Sequence, residues 1–398
     1  MCGIAGYIGK RKAGDLLLKS IKNLEYRGYD SVGMCTLSGQ GIEVRKGKGK
    51  VSEAAPELDF SSLPGTTGIA HTRWGTHGVP SEKNAHPHLS PSGKIAIVHN
   101  GIIENYLQLK ERLRGADFRS DTDSEVIAHL LEKNYSGNLR DAMLKTMKML
   151  NGTYAVCAVC ADSGEIVVAR NGSPLAIGLG DGENFIGSDV SAFVEHTKKV
   201  VYLEDFEMAV LRGDSVEVFD GEGMQVSPEV KKIDWDVECA QKQGYKHFML
   251  KEIHEQPRVV RESVSAPFDF EMESRPGRIF IVACGTASYA GLTGKYILEK
   301  QAGIPVEVAP ASEFRYSNPV IGEKDLFVAI SQSGETADTL AALRLAKQKG
   351  AKTLGIINVK ESTIAREADS VVYTAAGPEI GVASTKAFLS QLVALYRL

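Results

Sequence analysis

A cysteine stands second in the chain, behind a methionine, and its small side chain normally permits removal of that methionine. One residue then carries both a thiol and a free α-amine. Such an amine titrates near ~7.7–8.0, so an unprotonated fraction is on hand near neutrality to serve as base for the thiol. Attack on the side-chain amide of an amino acid asks for three more groups. The α-carboxylate wants a bidentate arginine, the α-ammonium a carboxylate, and the developing oxyanion aimed N–H donors. Arg73 in His71-Thr72-Arg73-Trp74-Gly75-Thr76-His77-Gly78, Asp123 in Ser120-Asp121-Thr122-Asp123-Ser124-Glu125, and Asn100-Gly101 after the apolar run 95–99 are of those types. Each also has a plainer reading by itself: a surface ion pair, a helix N-cap, an ordinary turn.

A second candidate lies far along the chain. Ser331-Gln332-Ser333-Gly334-Glu335-Thr336 follows the apolar run 326–330 and opens a helix expected over 336–349. Free N–H groups at a helix start, three hydroxyls and a glycine for close approach make a phosphate cradle, although any strand-to-helix turn also favours Ser, Gly and Thr as caps. Cys284-Gly285-Thr286-Ala287-Ser288 follows another such run, with Cys284 read as a turn residue rather than a nucleophile. Neither nucleotide-loop pattern, Gly-x-x-x-x-Gly-Lys-Ser/Thr or Gly-x-Gly-x-x-Gly after a strand, occurs.

Two grammars of elements position these residues. To about residue 220, short strands (3–8, 31–37, 42–46, 68–71, 95–100, then a series over 154–219) with helices over 123–134 and 138–149 predict an α+β lobe. From 279, strands at 279–283, 306–309, 326–330, 353–357 and 370–373 alternate with helices, which predicts an α/β lobe with a parallel sheet. The expected division is 2–220, a linker over 221–245, and 246–398, with a helical stretch over 245–265 broken at Pro257. Cys157 and Cys160, three apart on a strand, face opposite sides and read as core.

With 398 residues, 43% hydrophobic and 24% charged, the chain should fold into two or three domains, and a net charge of -4 offers no footprint for nucleic acid or anionic membrane. The six cysteines show neither disulfide-framework nor zinc spacing. The first residues lack the basic and apolar segments of a signal peptide, and no window holds ~18 uninterrupted apolar residues, so a cytoplasmic protein is expected.

Cys2-Gly3-Ile4-Ala5-Gly6, Tyr26-Arg27-Gly28-Tyr29-Asp30-Ser31, Arg73-Trp74-Gly75-Thr76-His77-Gly78, Asn84-Ala85-His86-Pro87-His88, His99-Asn100-Gly101 and Thr122-Asp123-Ser124-Glu125 together resemble the class II (N-terminal nucleophile) glutamine amidotransferases. The resemblance implies stacked β-sheets with helices in the first lobe and L-glutamine as substrate. It makes Cys2 the nucleophile, Asn100 with the Gly101 backbone the oxyanion hole, and Arg73, Thr76, His77 and Asp123 the holders of the amino-acid end. Arg27 stands behind the nucleophile. Trp74 resembles a tryptophan that closes an ammonia passage, a buried packing indole being the physical alternative. His86 and His88 are structural, and neither a metal nor another cofactor is implied.

The later turns resemble the sugar isomerase (SIS) domain found in the branch of this class that aminates fructose 6-phosphate. That implies a sugar phosphate held by Thr286, Ser331, Gln332, Ser333 and Thr336, with Val382 and Ser384 lining the site, and a homodimer in the full-length form. Members of the branch continue into a second SIS half, so a chain ending at Leu398 is expected to be a shortened one that keeps amide hydrolysis only.

Overall fold

A computed structural model of the chain describes residues 2–75, 77–233, 245–272, 274–360 and 362–398. It divides into two compact units, 1–237 and 238–398.

In the first unit the described strands form an eight-stranded and a seven-stranded sheet, antiparallel in their pairings. Strand Gly3–Ile8 lies inside the larger one, between Thr67–Arg73 and Asn184–Gly187. Alternation along it sorts the side chains. Ala5 and Tyr7 pack with Leu17 and Ile21 of helix Ala13–Asn23, whereas Ile4 and Ile8 pack against the second sheet. The second sheet does the same. Val98 and Cys157 join the inter-sheet layer, while Ile97 and Cys160 pack against helices Glu125–Asn134 and Leu139–Met147. The unit is therefore layered helix, sheet, sheet, helix, and Cys157 and Cys160 are both fully buried, one in each of two cores.

Residues 221–233, read from sequence as the start of a linker, add two short edge strands to these sheets. Gln225–Val226 pairs with Val218 and Phe219, and Lys231–Lys232 with Lys199 and Val200. Most of the remaining linker, 234–244, lies outside the described residues.

The second unit holds five parallel strands in the order Val306–Pro310, Arg278–Ala283, Asp325–Ser331, Lys352–Ile357, Ser370–Tyr373. Ile279, Ile281 and Ala283 pack with Ala290 and Leu298 of helix Thr286–Ala302, whereas Phe280 and Val282 face Leu340 and Leu343 of helix Ala337–Gln348. Helices thus cover both faces. The chain reverses direction across the sheet between Arg278–Ala283 and Asp325–Ser331, the switch point outside whose carboxyl ends ligands bind in open α/β sheets.

One expected break is not found. Helix Phe248–Ser265 runs through Pro257, although an interior proline removes a ladder bond and costs about 3 kcal/mol. Tertiary ties hold it on both sides of the proline. Glu252 accepts the Ile380 and Gly381 N–H groups at 2.6 and 3.0 Å, Glu255 pairs with Lys386 at 2.5 Å, and Ser263 meets Ser390 at 3.1 Å.

Candidate functional site

Cys2 immediately precedes strand Gly3–Ile8, whose antiparallel register sets Gly3 opposite Thr72 and so brings Cys2 to Arg73 and Trp74. The Trp74 N–H donates to Cys2 Sγ at 3.2 Å. Asn100, from the other sheet, donates through Nδ2 to the Cys2 carbonyl at 3.1 Å, and Arg27 Nε donates to the same oxygen at 3.2 Å. Arg27 is steadied by Asp189, 3.5 Å away. Burial pushes the Cys2 thiol up, opposed by the Trp74 N–H, the chain's terminal amine, Arg73 and Arg27. A thiol held protonated in this way needs a base before it can attack.

Arg73 is buried, and its Nη2 donates to the carbonyls of His77 and Gly78. Its Nη1 is buried without a hydrogen-bond partner, a donor left unsatisfied beneath the Gly75 backbone. Asp123 accepts the Ile103 N–H at 2.8 Å and lies 3.7 Å from His77 Nδ1. Arg73 thus interacts with both the thiol and Asp123, a cation and a carboxylate of the kinds an α-amino acid needs. Gly101 has φ +132°, and a Cβ there would lie 2.0 Å from the Thr153 carbonyl, so only glycine fits beside Asn100. Thr76 lies outside the described residues. Trp74 is 40% exposed within its unit and tilted against Tyr29 at 5.1 Å, which overturns the buried packing indole as the alternative reading.

Several supports were not assigned from sequence. Asp30 accepts the Gly75 N–H at 2.7 Å and so fixes the Trp74 loop over the thiol. Glu125 accepts the N–H groups of Arg119 and Ser120 at 2.9 and 2.7 Å, fixing the loop that carries Asp123. Burial alone raises its carboxyl, but hydrogen bonds from His129, Arg119 and Ser120 outweigh that and hold it down at about 2. His88 meets Thr122 at 3.1 Å and His99 meets Ser124 at 2.8 Å, one on each side of Asp123. His86 accepts the His99 N–H at 3.1 Å and stacks on His71, with ring centres 4.2 Å apart.

In the second unit both candidate turns lie at the switch point. Parallel pairing of Ala283 with Ile330 sets Cys284 and Ser331 side by side, so Thr286 and the 331–336 turn share one sheet edge. Ser331 Oγ lies 3.1 Å from Thr336 Oγ1 and accepts the Gly334 N–H at 3.0 Å. Ser333 and Gln332 are half-buried at the mouth. The turn is braced from behind, because Glu335 accepts Thr363 N–H and Oγ1–H at 2.7 and 2.8 Å. Ser384 donates to Glu379 at 2.7 Å, and Val382 is exposed. Cys284 Sγ accepts a weak bond from Thr339 Oγ1 at 3.7 Å, and Ala287 packs toward the core.

Comparison with known proteins adds a separate observation. Residues 71–195 match the glutamine amidotransferase domain, and 273–398 the SIS domain. The chain is 49% identical over 412 residues to the glutamine--fructose-6-phosphate aminotransferase (isomerizing) of Caldanaerobacter subterraneus subsp. tengcongensis, covering 100% of this chain and 68% of that protein. It is 50% identical over 407 residues to the enzyme of that name from Thermus thermophilus, covering 99% and 67%. The chain belongs to the glutamine--fructose-6-phosphate aminotransferase family. Among solved structures, the C-terminal domain of glucosamine-fructose-6-phosphate aminotransferase from Francisella tularensis is 49% identical over 39% of this chain and 47% of that one, with a TM-score of 0.37.

For a member of this family, Arg73, Asn100, Gly101 and Asp123 of the first candidate site fall within the match to the amidotransferase domain, Cys2 and Arg27 precede it, and the second candidate site falls within the match to the SIS domain. The first gathers Cys2, Arg27, Arg73, Asn100, Gly101 and Asp123, and the second gathers Thr286 with 331–336. Among the described residues no helix is long and apolar enough to cross a membrane, and no cluster of His, Cys, Asp and Glu could hold a metal ion.

Proposed function

We propose that this chain hydrolyses L-glutamine through a γ-glutamyl thioester on Cys2 to glutamate and ammonia, the first half of a reaction in which the complete enzyme passes the ammonia to fructose 6-phosphate to give glucosamine 6-phosphate. The observation that carries the reading is the meeting of both sheets at one cysteine, with a buried arginine whose Nη1 has no partner and which interacts with both the thiol and the buried Asp123 carboxylate. Arg73 Nη1 takes the α-carboxylate, Asp123 with His77 and Thr76 the α-ammonium. The α-amine of Cys2, exposed by removal of Met1, accepts the thiol proton as Sγ attacks the side-chain carbonyl. Asn100 Nδ2 and the Gly101 N–H stabilise the oxyanion. The amine returns the proton to the leaving nitrogen, ammonia departs, and water attacking the thioester releases glutamate and restores the thiol. Arg27, bonded to the Cys2 carbonyl, keeps the nucleophile in place, and Trp74 covers it.

For the second unit, the hydroxyls of Thr286, Ser331, Ser333 and Thr336, the Gln332 side chain and the backbone at the helix start are suited to a sugar phosphate, with Val382 and Ser384 at its rim. Cytoplasmic localisation and a homodimer complete the reading. Cys2→Ala, which removes only a small thiol, is expected to abolish ammonia release from glutamine while leaving the circular dichroism spectrum unchanged. Turnover at the wild-type rate in that variant removes the assignment.

A further inference from the structure

His71 is buried on the same strand face as Arg73, two residues away, and does no chemistry in the scheme above. Its Nε2 lies 3.1 Å from the His99 carbonyl and 2.9 Å from Asn100 Oδ1. A backbone carbonyl can only accept, so Nε2 carries the hydrogen. The atom of Asn100 facing it must then be the oxygen, which turns the NH2 group toward Cys2, where Nδ2 meets another obligate acceptor, the Cys2 carbonyl. The opposite tautomer leaves two acceptors, the His99 carbonyl and Asn100 Oδ1, facing one bare nitrogen. His71 Nδ1 is buried with no partner, so a hydrogen placed there would be an orphaned donor, and the ring is fixed by its stack on His86 at 4.2 Å.

We propose that His71 is a positioning residue for glutamine hydrolysis: its Nε2–H, oriented by the His99 carbonyl, fixes the Asn100 amide with its donor toward the reacting carbon. This rests on the glutaminase reading of the Cys2 site. Burial holds the imidazole neutral, down to about 3, so the single donor persists across the physiological range. Without it, the amide is free to present its oxygen to a developing negative charge.

The test uses the difference between two amides. A glutamine side chain places its NH2 where histidine has Nε2, and asparagine places it near Nδ1. His71→Asn is expected to lower kcat for glutamine hydrolysis about tenfold to a hundredfold, short of the ~10²–10³ lost when an oxyanion donor is removed outright. KM for glutamine should stay within about twofold. His71→Gln should recover most of the rate, and His71→Phe, which keeps the stack, should behave as His71→Asn and serves if that variant fails to fold. In an Asn100→Ala background neither substitution should cost more. Equal losses in the Gln and Asn variants, or losses that persist in full without the Asn100 amide, overturn the proposal. Glutaminase activity surviving Cys2→Ala instead removes the reading beneath it.

Discussion

Arg73 shows how one side chain divides its work. Nη2 is committed to the carbonyls of its own loop and Nη1 is buried without a partner, so one planar group fixes the loop and keeps a donor for a ligand. A lysine offers a point charge and cannot do both. Arg73→Lys is therefore expected to raise KM for glutamine at least about tenfold with kcat within about threefold, the pattern of lost uniform binding. Steady-state kinetics with an unchanged KM removes the carboxylate role. The residues that carry charge or a nucleophile were legible in the sequence, because type and order suffice for them. Their supports were not. Asp30 and Asp189 act across folds of the chain that spacing does not reveal, whereas Glu125 acts locally on the turn just before its own helix and His71 left a signal, two residues from Arg73 on a run that reads as a strand.

Among elements, the 331–336 turn is the clearest case of shape set from outside. Gly334 has φ +66°, and a Cβ there would lie 1.9 Å from Ser362 Oγ. Its carbonyl accepts the Ile364 N–H at 3.0 Å while Glu335 caps the same short helix, Thr363–Glu367. The hydroxyls at the mouth stay available because the back of the turn is anchored elsewhere. Gly334→Ala adds a left-handed backbone cost of about 1–2 kcal/mol to a steric conflict. It should lower the melting temperature and weaken fructose 6-phosphate at least about tenfold in calorimetry. Unchanged affinity with a lowered melting temperature argues that the turn is structural only. Alternation and the strand–turn–helix rhythm made the parallel sheet readable, since each strand there is a nearly unbroken apolar run. Helices Val51–Leu58 and Tyr106–Arg112 were not assigned, being short and, in the first, interrupted by Pro56. The continuation through Pro257 depends on partners more than a hundred residues away.

For the whole molecule, the two units differ in how they meet acid. His71, His86, His88 and His99 are buried in the first unit, and burial drives all four below the ordinary value. A native state that binds fewer protons than the unfolded chain loses stability as pH falls. Nothing is lost above ~6.5, and below it each neutral imidazole costs up to about 1.4 kcal/mol per pH unit until its folded value is reached. Glu125, held at about 2, adds to the loss below its ordinary 4.5. The described histidines of the second unit, His247 and His254, are exposed. Hydrogen exchange of the full chain between pH ~6.5 and ~4.5 should show strands such as Gly3–Ile8 and Ile95–Ile103 opening while Arg278–Ala283 and Asp325–Ser331 stay protected. Simultaneous loss of protection contradicts this origin of acid lability.

The two faces of strand Gly152–Cys160 have a practical corollary. Cys157 and Cys160 point into separate cores and cannot pair with each other, and Cys35 is sealed in the layer between the sheets, its thiol pushed up to about 12. Of the five cysteines the structure describes, only Cys2 and Cys284 are within reach of solvent, one beside each candidate site. The fold thus leaves a built-in pair of chemical reporters. A mild alkylating tag read by peptide mass could follow occupancy of each site separately in one sample, with an amino-acid ligand shielding the first thiol and a sugar phosphate the second.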